Sequence, residues 1–454
     1  MSHSEIIRPL GHMEYTYWIM DLASRTNFSY TAHLSGSLPG DVLEKALAAV
    51  QDRHPLLRAR IVPDTKLGAV FMPCSLPIPL AHAGVPRPRE RFAGHDDPFV
   101  RFLQKEQNRG LDSEKGPLMA VAAADHDDAS QSLVFTIHHS IADGICGASL
   151  VRDVLGAARD ILKGKKAALA HMPEAGPLEH RIPRRHSGAS GLLRMAGHTA
   201  ALNLHRAVSR PVDASTVKRV WADKRRDRFI LTTLDAKQTT ALVQRAKANG
   251  CSVHTTLTAA QLMAIAAQYP EKKKTRAIQL SLVDLRKRFE EPVSPDTLTM
   301  MISMAETSHS IDPGSTLWGL AREIRGKLRR RIGRGFHFYY FPWLCRILYW
   351  TRSTRTPDEK GSRKMLRQGD GSRPMVIPVS TIGRLDIPDN YEAFSLDGLH
   401  FGMAMSSSGL FGSSANTFSG RLFWNFSYAK PSVHPEPAES MAERAVNIIR
   451  ENIA

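Results

Sequence analysis

The sequence has few of the features that mark secreted, disulfide-bonded or metal-dependent proteins. Only four of its 454 residues are cysteines, and no two of them form a CxxC pair. Cysteines this far apart argue against a disulfide framework and against a zinc ribbon, and they favour a reducing compartment. The 19 histidines show no spacing typical of metal ligands, so we expect no metal site.

The sequence pattern also predicts no targeting segment and no membrane-spanning segment. The first residues lack a basic stretch followed by an apolar one, so we expect no secretory signal. The most apolar aromatic stretch, residues 336–350, is interrupted by Pro342 and Arg346 and falls short of the ~20 residues that a membrane span needs. We therefore expect a cytoplasmic protein, and peripheral contact with a membrane stays open.

Several common catalytic motifs do not occur. The chain has no GxSxG elbow, no GxxxxGK[ST] phosphate loop and no HExxH helix, and the glycines at 333 and 335 lack the third glycine of a dinucleotide loop. These absences argue against the enzyme classes that use such motifs. With 42% hydrophobic and 23% charged residues, the composition is that of a soluble globular protein with large cores, which excludes wholesale disorder.

Acidic residues are scarce relative to basic ones. There are 61 Lys and Arg against 44 Asp and Glu, a formal net charge of +17, which predicts an anionic partner. Residues 322–373, here called the basic segment, carry fifteen positive and four acidic side chains, a net of +11. We interpret this segment either as a solvated helix face around buried aromatics, or as a docking surface for an acidic protein, a phosphate-bearing cofactor or anionic lipid. Nucleic acid is disfavoured, because no nucleic-acid-binding motif accompanies the charge.

The same local pattern occurs near the start of each half of the chain. A strand-like stretch at 28–34 precedes a helical pattern at 42–50. A second strand-like stretch at 228–234 precedes a helix whose start is marked by Asp235 and Gln238, a capping box. The repeated order of strand, turn and helix indicates an internal duplication.

Three segments are expected along the chain, because 454 residues exceed one ordinary domain. We predict an N-terminal subdomain at 1–172, a basic linker or crossover at 173–227, and a C-terminal subdomain at 228–454. The linker contains one predicted short helix, at 192–208. Strands and helices that alternate throughout predict the α/β class.

One motif carries the chemistry. Residues 133–137 are an apolar, β-branched run that predicts a buried strand, and apolar residues recur at helical spacing after Gly144. The segment between them reads His-His-Ser-Ile-Ala-Asp-Gly and therefore lies on a strand-to-helix turn, where α/β proteins commonly display reactive groups. The imidazole of His139 is suited to proton transfer near neutral pH, and Asp143 with Gly144 can fix its orientation.

The pattern HHxxxDG, at residues 138–144, resembles the motif of the chloramphenicol acetyltransferase-like acyltransferases. That superfamily includes nonribosomal-peptide condensation domains, alcohol acyltransferases, polyketide-associated acyltransferases and wax ester synthases. Other segments match the family in order and spacing, at residues 53–58, 252–260, 283–286, 380–383 and 423–428.

The resemblance implies two chloramphenicol-acetyltransferase-like subdomains that form a pseudo-dimer around a central channel. It implies that His139 is the general base and that His138 and Gly144 shape the turn. It also implies that Asp143 points away from the substrate and pairs with an arginine, for which Arg286 is the candidate.

The segment at 380–383 departs from the family pattern, because Thr381 replaces an asparagine. The DFGWG motif of the plant enzymes does not occur either. Ser380 or Thr381 is our candidate donor to the oxyanion that forms during acyl transfer.

We therefore predict a stand-alone acyltransferase that moves an acyl group from a coenzyme A or carrier-protein thioester to a hydroxyl acceptor, in lipid or secondary metabolism. The thioester is a co-substrate, and no permanently bound cofactor is expected. An acidic carrier protein and an anionic membrane are further candidate partners. Two alternatives stay open: an amide-forming condensation enzyme, and a non-catalytic carrier-docking member of the fold, against which the intact motif argues.

Overall fold

The computed structural model describes residues 6–167, 169–212, 214–216, 220–352, 360–364, 376–407 and 409–454. Helices and strands alternate along these residues, as the sequence predicts for the α/β class. The strands are β1 (Arg8–Pro9), β2 (Phe28–Ser35), β3 (Ala59–Asp64), β4 (Gly68–Pro73), β5 (Leu80–Gly84), β6 (Phe92–Ala93), β7 (Met119–Asp125), β8 (Gln131–Ile137), β9 (Arg226–Leu234), β10 (Thr275–Asp284), β11 (Ile302–Ile311), β12 (Ile377–Arg384), β13 (Ser395–Gly402), β14 (Phe411–Phe418) and β15 (Arg421–Lys430). The main helices are α1 (His12–Ala23), α2 (Gly40–Arg53), α3 (Pro98–Arg109), α4 (Gly144–Leu162), α5 (Arg184–Ser187), α6 (Ala189–Ser209), α7 (Ala236–Ala248), α8 (Val253–Ala266), α9 (Leu317–Gly333), α10 (Phe336–Arg352) and α11 (Pro435–Ile453).

A five-stranded sheet forms the N-terminal lobe, in the order β13-β2-β8-β7-β5. β8 contains the run predicted as a buried strand, and all seven of its residues are buried. β2 pairs antiparallel with β8, so that Phe28 lies opposite Ile137. α4 packs against β2 and against α2. The strand that leads into the HHxxxDG turn therefore lies in the interior of this lobe, which fixes where the turn begins.

A seven-stranded sheet forms the C-terminal lobe, in the order β11-β10-β12-β14-β15-β9-β6. The predicted capping box begins α7, where the Asp235 carboxylate accepts the Gln238 N–H at 2.8 Å. α8 packs on β10, β11 and β12, and α9 packs on β11. α10 also packs on β11, and it contacts α1 of the other lobe.

Each lobe contributes a strand to the sheet of the other. β13 follows most of the C-terminal strands in sequence, yet it pairs with β2, and the two-residue β6 pairs with β9. Carbonyls of β13 accept hydrogen bonds from buried asparagine side chains, from Asn416 to Leu399 at 2.8 Å and from Asn425 to Phe401 at 3.0 Å. The sheet of each subdomain predicted at 1–172 and 228–454 therefore includes one strand from the other subdomain.

The linker proposed at 173–227 is packed onto the C-terminal lobe over much of its length. Its helix, α6, is longer than the short helix predicted at 192–208, with 21 residues. Met195 and Leu202 of α6 are buried, and the helix packs along α10.

The aromatic stretch of the basic segment forms α10, with Pro342 inside the helix. Its side chains at 336, 338, 340 and 343 are buried, whereas Arg329 and Arg330 near the end of α9 are exposed. Other basic-segment residues lie outside the described residues: Arg355, Arg367 and Arg373. In the described part of the chain, no helix combines the length and the apolar character that crossing a bilayer requires.

Candidate active site

The HHxxxDG segment forms the turn between β8 and α4, as the sequence predicts. Asp143 is the N-cap residue of α4, and its Oδ1 accepts the N–H groups of Ile145 at 3.0 Å and Cys146 at 3.3 Å. A carboxylate in this position satisfies free N–H groups and interacts favourably with the positive end of the helix dipole. The cap therefore fixes how the turn enters α4.

The second oxygen of Asp143 reaches the C-terminal lobe. Asp143 Oδ2 lies 2.7 Å from Arg286 Nη1 and accepts the Met301 N–H at 2.8 Å. Burial alone would raise the pKa of this carboxyl group, but the Arg286 guanidinium and the N–H donors outweigh burial and hold the pKa below its usual value. The contact expected between Asp143 and Arg286 is present, and it joins the two lobes at the motif.

His139 is held in one tautomer. Its Nδ1 lies 2.9 Å from the Ala142 carbonyl oxygen, and because a carbonyl only accepts, Nδ1 must carry the proton. The other ring nitrogen, Nε2, has no hydrogen-bond partner within the described residues. The ring packs against Tyr17 and Phe28, with centroid distances of 4.3 and 5.1 Å. Burial lowers the pKa of His139, an effect that the Asp143 carboxylate partly offsets, so the ring is neutral at pH 7.

His138 is turned into the protein, away from His139. It is fully buried, its Nδ1 accepts the Ser140 N–H at 3.2 Å, and its Nε2 lies 3.7 Å from Asp21 Oδ2. Burial lowers the pKa of His138, so the ring is neutral and its proton lies on Nε2. These contacts hold the His138 side chain inside the protein on the inner side of the turn.

Gly144 stands where the turn meets the C-terminal lobe. A methyl group added at Gly144 would lie 2.7 Å from Ile382 Cδ1 and 3.0 Å from Phe401 Cζ. The Gly144 carbonyl accepts the Tyr30 hydroxyl at 2.6 Å. A side chain at position 144 would therefore require the Ile382 and Phe401 side chains to move.

Ser380 and Thr381 in β12 point to opposite sides of the sheet. Ser380 lies opposite Ser414 and Thr381 lies opposite Ala415, and paired residues of neighbouring strands share a face. The Ser414 hydroxyl donates to a carbonyl of β13, so Ser380 faces β13 and the lobe interface. Thr381 faces α8 instead, where its Oγ1 lies 3.0 Å from His254 Nδ1. The structure therefore separates the two candidate oxyanion donors.

His254 is a polar site residue that sequence reasoning missed. Its Nε2 lies 2.7 Å from Ser281 Oγ, and burial lowers the pKa of the ring to about 4. It lines a cleft of about 480 Å³ together with Asp284, Lys287, Arg288 and the end of α9. His254 lies within the family-like stretch at 252–260, but one histidine in the first turn of a helix matches no motif.

Two potential nucleophiles near the turn are unsuited to that role. The Ser140 hydroxyl is buried and donates to the Glu14 carbonyl at 2.9 Å. Burial raises the pKa of the Cys146 thiol to about 12, and its Sγ lies 3.3 Å from the Thr299 carbonyl oxygen. Neither group is available as an alkoxide or a thiolate at neutral pH. Among the described residues there is also no cluster of three His, Cys, Asp or Glu side chains arranged to hold a metal ion.

Two family models match successive parts of the chain. The condensation-domain model matches residues 15–174, and the model for the phthiocerol/phthiodiolone dimycocerosyl transferase C-terminus matches residues 223–422. The phthiocerol/phthiodiolone dimycocerosyl transferase of Mycobacterium ulcerans (strain Agy99) is 25% identical over 68% of this chain and 69% of its own length.

Matches to large peptide synthetases cover only a small part of those proteins. The chain is 31% identical, over 31% of its own length, to the AMB antimetabolite synthetase AmbE from Pseudomonas aeruginosa, of which it spans 7%. It spans 3% of a linear gramicidin synthase polypeptide from Brevibacillus parabrevis, to which it is 24% identical over 36% of its own length. These matches therefore relate the chain to one region of each synthetase and not to the whole protein.

Solved structures match nearly the whole chain. Polyketide synthase associated protein 5 from Mycobacterium tuberculosis has a TM-score of 0.68 at 16% identity, over 98% of this chain and 99% of that one. The TRI3 trichothecene 15-O-acetyltransferase from Fusarium sporotrichioides has a TM-score of 0.71 at 12% identity, over 98% of this chain and 94% of that one. These similarities confirm the expected two-lobed fold. The two family models and these structures relate the chain to the condensation domains and the polyketide-associated acyltransferases, with which it shares the chloramphenicol acetyltransferase-like fold.

Proposed function

We propose that the protein transfers an acyl group from a coenzyme A or carrier-protein thioester to a hydroxyl acceptor, with His139 as general base. The observation that carries this proposal is the state of His139. Its Nδ1 proton is donated to the Ala142 carbonyl, while Nε2 of the partly exposed ring has no partner within the described residues. A neutral histidine with one fixed nitrogen and one free nitrogen is the arrangement that proton abstraction requires.

The reaction follows from this tautomer. His139 Nε2 takes the proton of the acceptor hydroxyl as its oxygen attacks the thioester carbonyl carbon, and a tetrahedral oxyanion forms. The intermediate collapses with cleavage of the carbon–sulfur bond, and the leaving thiolate takes the proton back from Nε2. The Nδ1 bond to Ala142 persists throughout and stabilises the imidazolium. No covalent acyl-enzyme is needed, which agrees with the occupied Ser140 hydroxyl and the protonated Cys146 thiol.

Asp143 is a positioning residue in this proposal. Both of its oxygens are engaged, by the start of α4 and by Arg286 with Met301, so it does not act as the third member of a Ser-His-Asp triad. It fixes the turn, and its charge moderates the fall in the pKa of His139.

Ser380 is the better-supported donor to the oxyanion. It lies on the β12 face toward β13, near Ile382, which contacts Gly144 of the motif turn. Thr381 lies on the opposite face, and its hydroxyl is engaged with His254. Removal of one hydrogen-bond donor to the oxyanion typically lowers the rate by about 10²–10³.

The cleft beside α8 is our candidate binding site for the incoming thioester donor. Lys287 and Arg288 lie on its wall next to Arg286, and cationic side chains recognise the phosphates of coenzyme A or of a carrier-protein prosthetic group. His254 and Ser281 supply polar groups deeper in the same cleft. The donor is a co-substrate here, and no permanently bound cofactor enters the proposal.

The acceptor class rests on the relatives. An O-acetyltransferase and a dimycocerosyl transferase are among the similar proteins, which supports a hydroxyl acceptor. The condensation-domain match favours an amide-forming reaction as the second candidate, and a non-catalytic role in carrier docking is the third.

One experiment separates these three functions. The full chain is incubated with acyl-coenzyme A donors of increasing chain length, with alcohol or amine acceptors, and free thiol and acyl product are followed. Thiol release with alcohols and the matching ester support the proposal. Product with amines alone would replace it by condensation. If neither acceptor reacts with coenzyme A donors or with acyl carrier protein, while the carrier protein still binds, the non-catalytic function holds.

A further inference from the structure

The outward side of α6 is apolar over most of its length. Consecutive residues of a helix turn by roughly 100°, so seven of the positions from 193 to 208 fall within an arc of about 120°. All seven are exposed, and none is polar: Leu193, Ala196, Gly197, Ala200, Leu204, Ala207 and Val208. Leu193, Leu204 and Val208 are exposed by 73%, 68% and 74%. We call this surface the α6 ridge, and it extends for about 22 Å at 1.5 Å per residue.

The ridge is surrounded by positive charge. Residues 184–210 contain no acidic residue and five arginines, four of which are exposed. The fifth, Arg206, is buried and paired with Glu306, which also lines the cleft between α6 and α9. Residues 322–352, which form most of α9 and all of α10, contain nine basic residues and one glutamate. A cleft of about 550 Å³ separates α6 from α9, and Lys327, Arg330, Arg331 and Arg334 lie on its wall. Arg330 and Arg334 have no ion-pair partner within the described residues.

An exposed tryptophan is linked through Arg346 to the residues that lead into α6. Trp350 near the end of α10 is 50% exposed, and the Arg346 guanidinium lies 4.4 Å from its ring centroid. Arg346 also donates to the Ser187 carbonyl at 3.0 Å, two residues before α6 begins. An exposed tryptophan next to arginines is the combination that places a helix at the level of lipid headgroups.

We propose that the α6 ridge docks the protein onto membranes that contain anionic phospholipid. Leu193, Leu204 and Val208 enter the headgroup layer, and the basic residues of α9 bind lipid phosphates. A second copy of the chain fits this surface poorly, because two such basic faces repel one another. An acidic protein would match the charge, but a convex helix with a continuous apolar arc fits a lipid layer better. Membrane docking through the α6 ridge does not require acyl-transfer activity.

Vesicle flotation with the full chain tests the proposal. We expect binding to vesicles of phosphatidylcholine with 30% phosphatidylglycerol, about tenfold weaker binding to phosphatidylcholine alone, and loss of binding at about 1 M salt. The triple variant Leu193→Gln, Leu204→Gln and Val208→Gln should lower vesicle binding at least about tenfold. These substitutions remove most of the apolar area that the ridge would bury in the lipid layer. Glutamine is a good helix former, so α6 should be retained.

Matched control variants carry the same types of substitution at exposed positions outside the ridge and α9. Leu76→Gln, Leu162→Gln and Val243→Gln replace three other exposed apolar side chains and should leave vesicle binding unchanged. Arg330→Glu with Arg334→Glu should weaken binding to anionic vesicles, whereas Lys237→Glu with Lys247→Glu on α7 should not. Failure of the full chain to bind anionic vesicles, or equal binding by the ridge variant and its control, would overturn the proposal. Ridge-dependent binding to an acidic carrier protein without vesicle binding would replace lipid by protein as the partner.

Discussion

Arg286 Nη1 and Asp143 Oδ2 lie 2.7 Å apart in a buried ion pair that joins the two lobes at the HHxxxDG turn. Asp143 caps α4 in the N-terminal lobe, and Arg286 follows β10 in the C-terminal lobe. Arg286 also lies 3.3 Å from the Thr299 carbonyl and 3.2 Å from Asp284. The pair therefore sets the position of the turn that carries His139 relative to both sheets.

Removing either partner should be strongly destabilising. Asp143→Ala leaves the Arg286 guanidinium buried without its main counter-charge. Arg286→Ala likewise leaves the Asp143 carboxylate buried without its positive partner. We expect each change to lower the free energy of unfolding by about 3–5 kcal/mol, as measured for broken buried pairs. In urea unfolding, the double variant should lose clearly less free energy of unfolding than the two single variants lose together. Single losses below about 1 kcal/mol would show that the pair does not hold the lobes together.

Gly144 should not tolerate a methyl group. Gly144→Ala places Cβ 2.7 Å from Ile382 Cδ1, so we expect a loss of about 1–3 kcal/mol from overpacking. Ile382→Val removes the contacting methyl and should recover part of the loss. Gly156→Ala in the same helix meets nothing within 4 Å and should be neutral or stabilising. Thermal unfolding of the three variants checks this, and equal effects at 144 and 156 would contradict the close approach.

The pH dependence of the reaction should report the lowered pKa of His139. His139 must be neutral to act as a base, and burial holds its pKa below the ordinary value of 6.5. The kcat/KM should therefore rise with pH, by roughly tenfold per unit well below the pKa, and level off before neutral pH. A pH profile with a buffer-matched stability control measures this. An acidic limb with its midpoint above about 7 would contradict the environment described for His139.

Ser380 and Thr381 should differ in their effect on rate. If Ser380 faces the oxyanion, Ser380→Ala lowers kcat by about 10²–10³ with a small change in KM. Thr381→Val removes the hydroxyl that meets His254 on the other face of β12, so its main effect should be on KM for the donor. Steady-state kinetics with one acyl donor compares the two. The reverse pattern would assign the oxyanion to Thr381.

Local features of the fold follow from the sequence, whereas the lobe interface does not. The strand before His138, the helix after Gly144 and the capping box at Asp235 depend on neighbouring residues, and all three are confirmed. The pairing of β13 with β2 depends on residues about 360 positions apart, for which a single sequence gives no signal. The internal duplication predicts two similar halves but not that each half supplies a strand to the other sheet.

The candidate site was predictable where a motif existed. His139, Asp143 and Gly144 were identified from HHxxxDG, and Arg286 came from the family resemblance. Which of Ser380 and Thr381 faces the turn depends on the strand register, and the place of His254 depends on packing between α8 and β12. Local residue spacing determines neither the register of β12 nor the packing of α8 on it. These two placements could therefore be assigned only from the structure.

In the proposed reaction the free Nε2 of His139 removes the acceptor proton, and a comparison of thiol-release rates tests this step. The rate of thiol release from an acyl thioester, with acceptor present, is compared for the unaltered chain, His139→Ala and a control, His82→Ala, whose side chain is 40% exposed on β5. We predict a loss of about 10²–10⁴ for His139→Ala, with unchanged thermal unfolding, and no loss for the control. Thiol release by His139→Ala at close to the unaltered rate, with its fold intact, would show that His139 is not the general base.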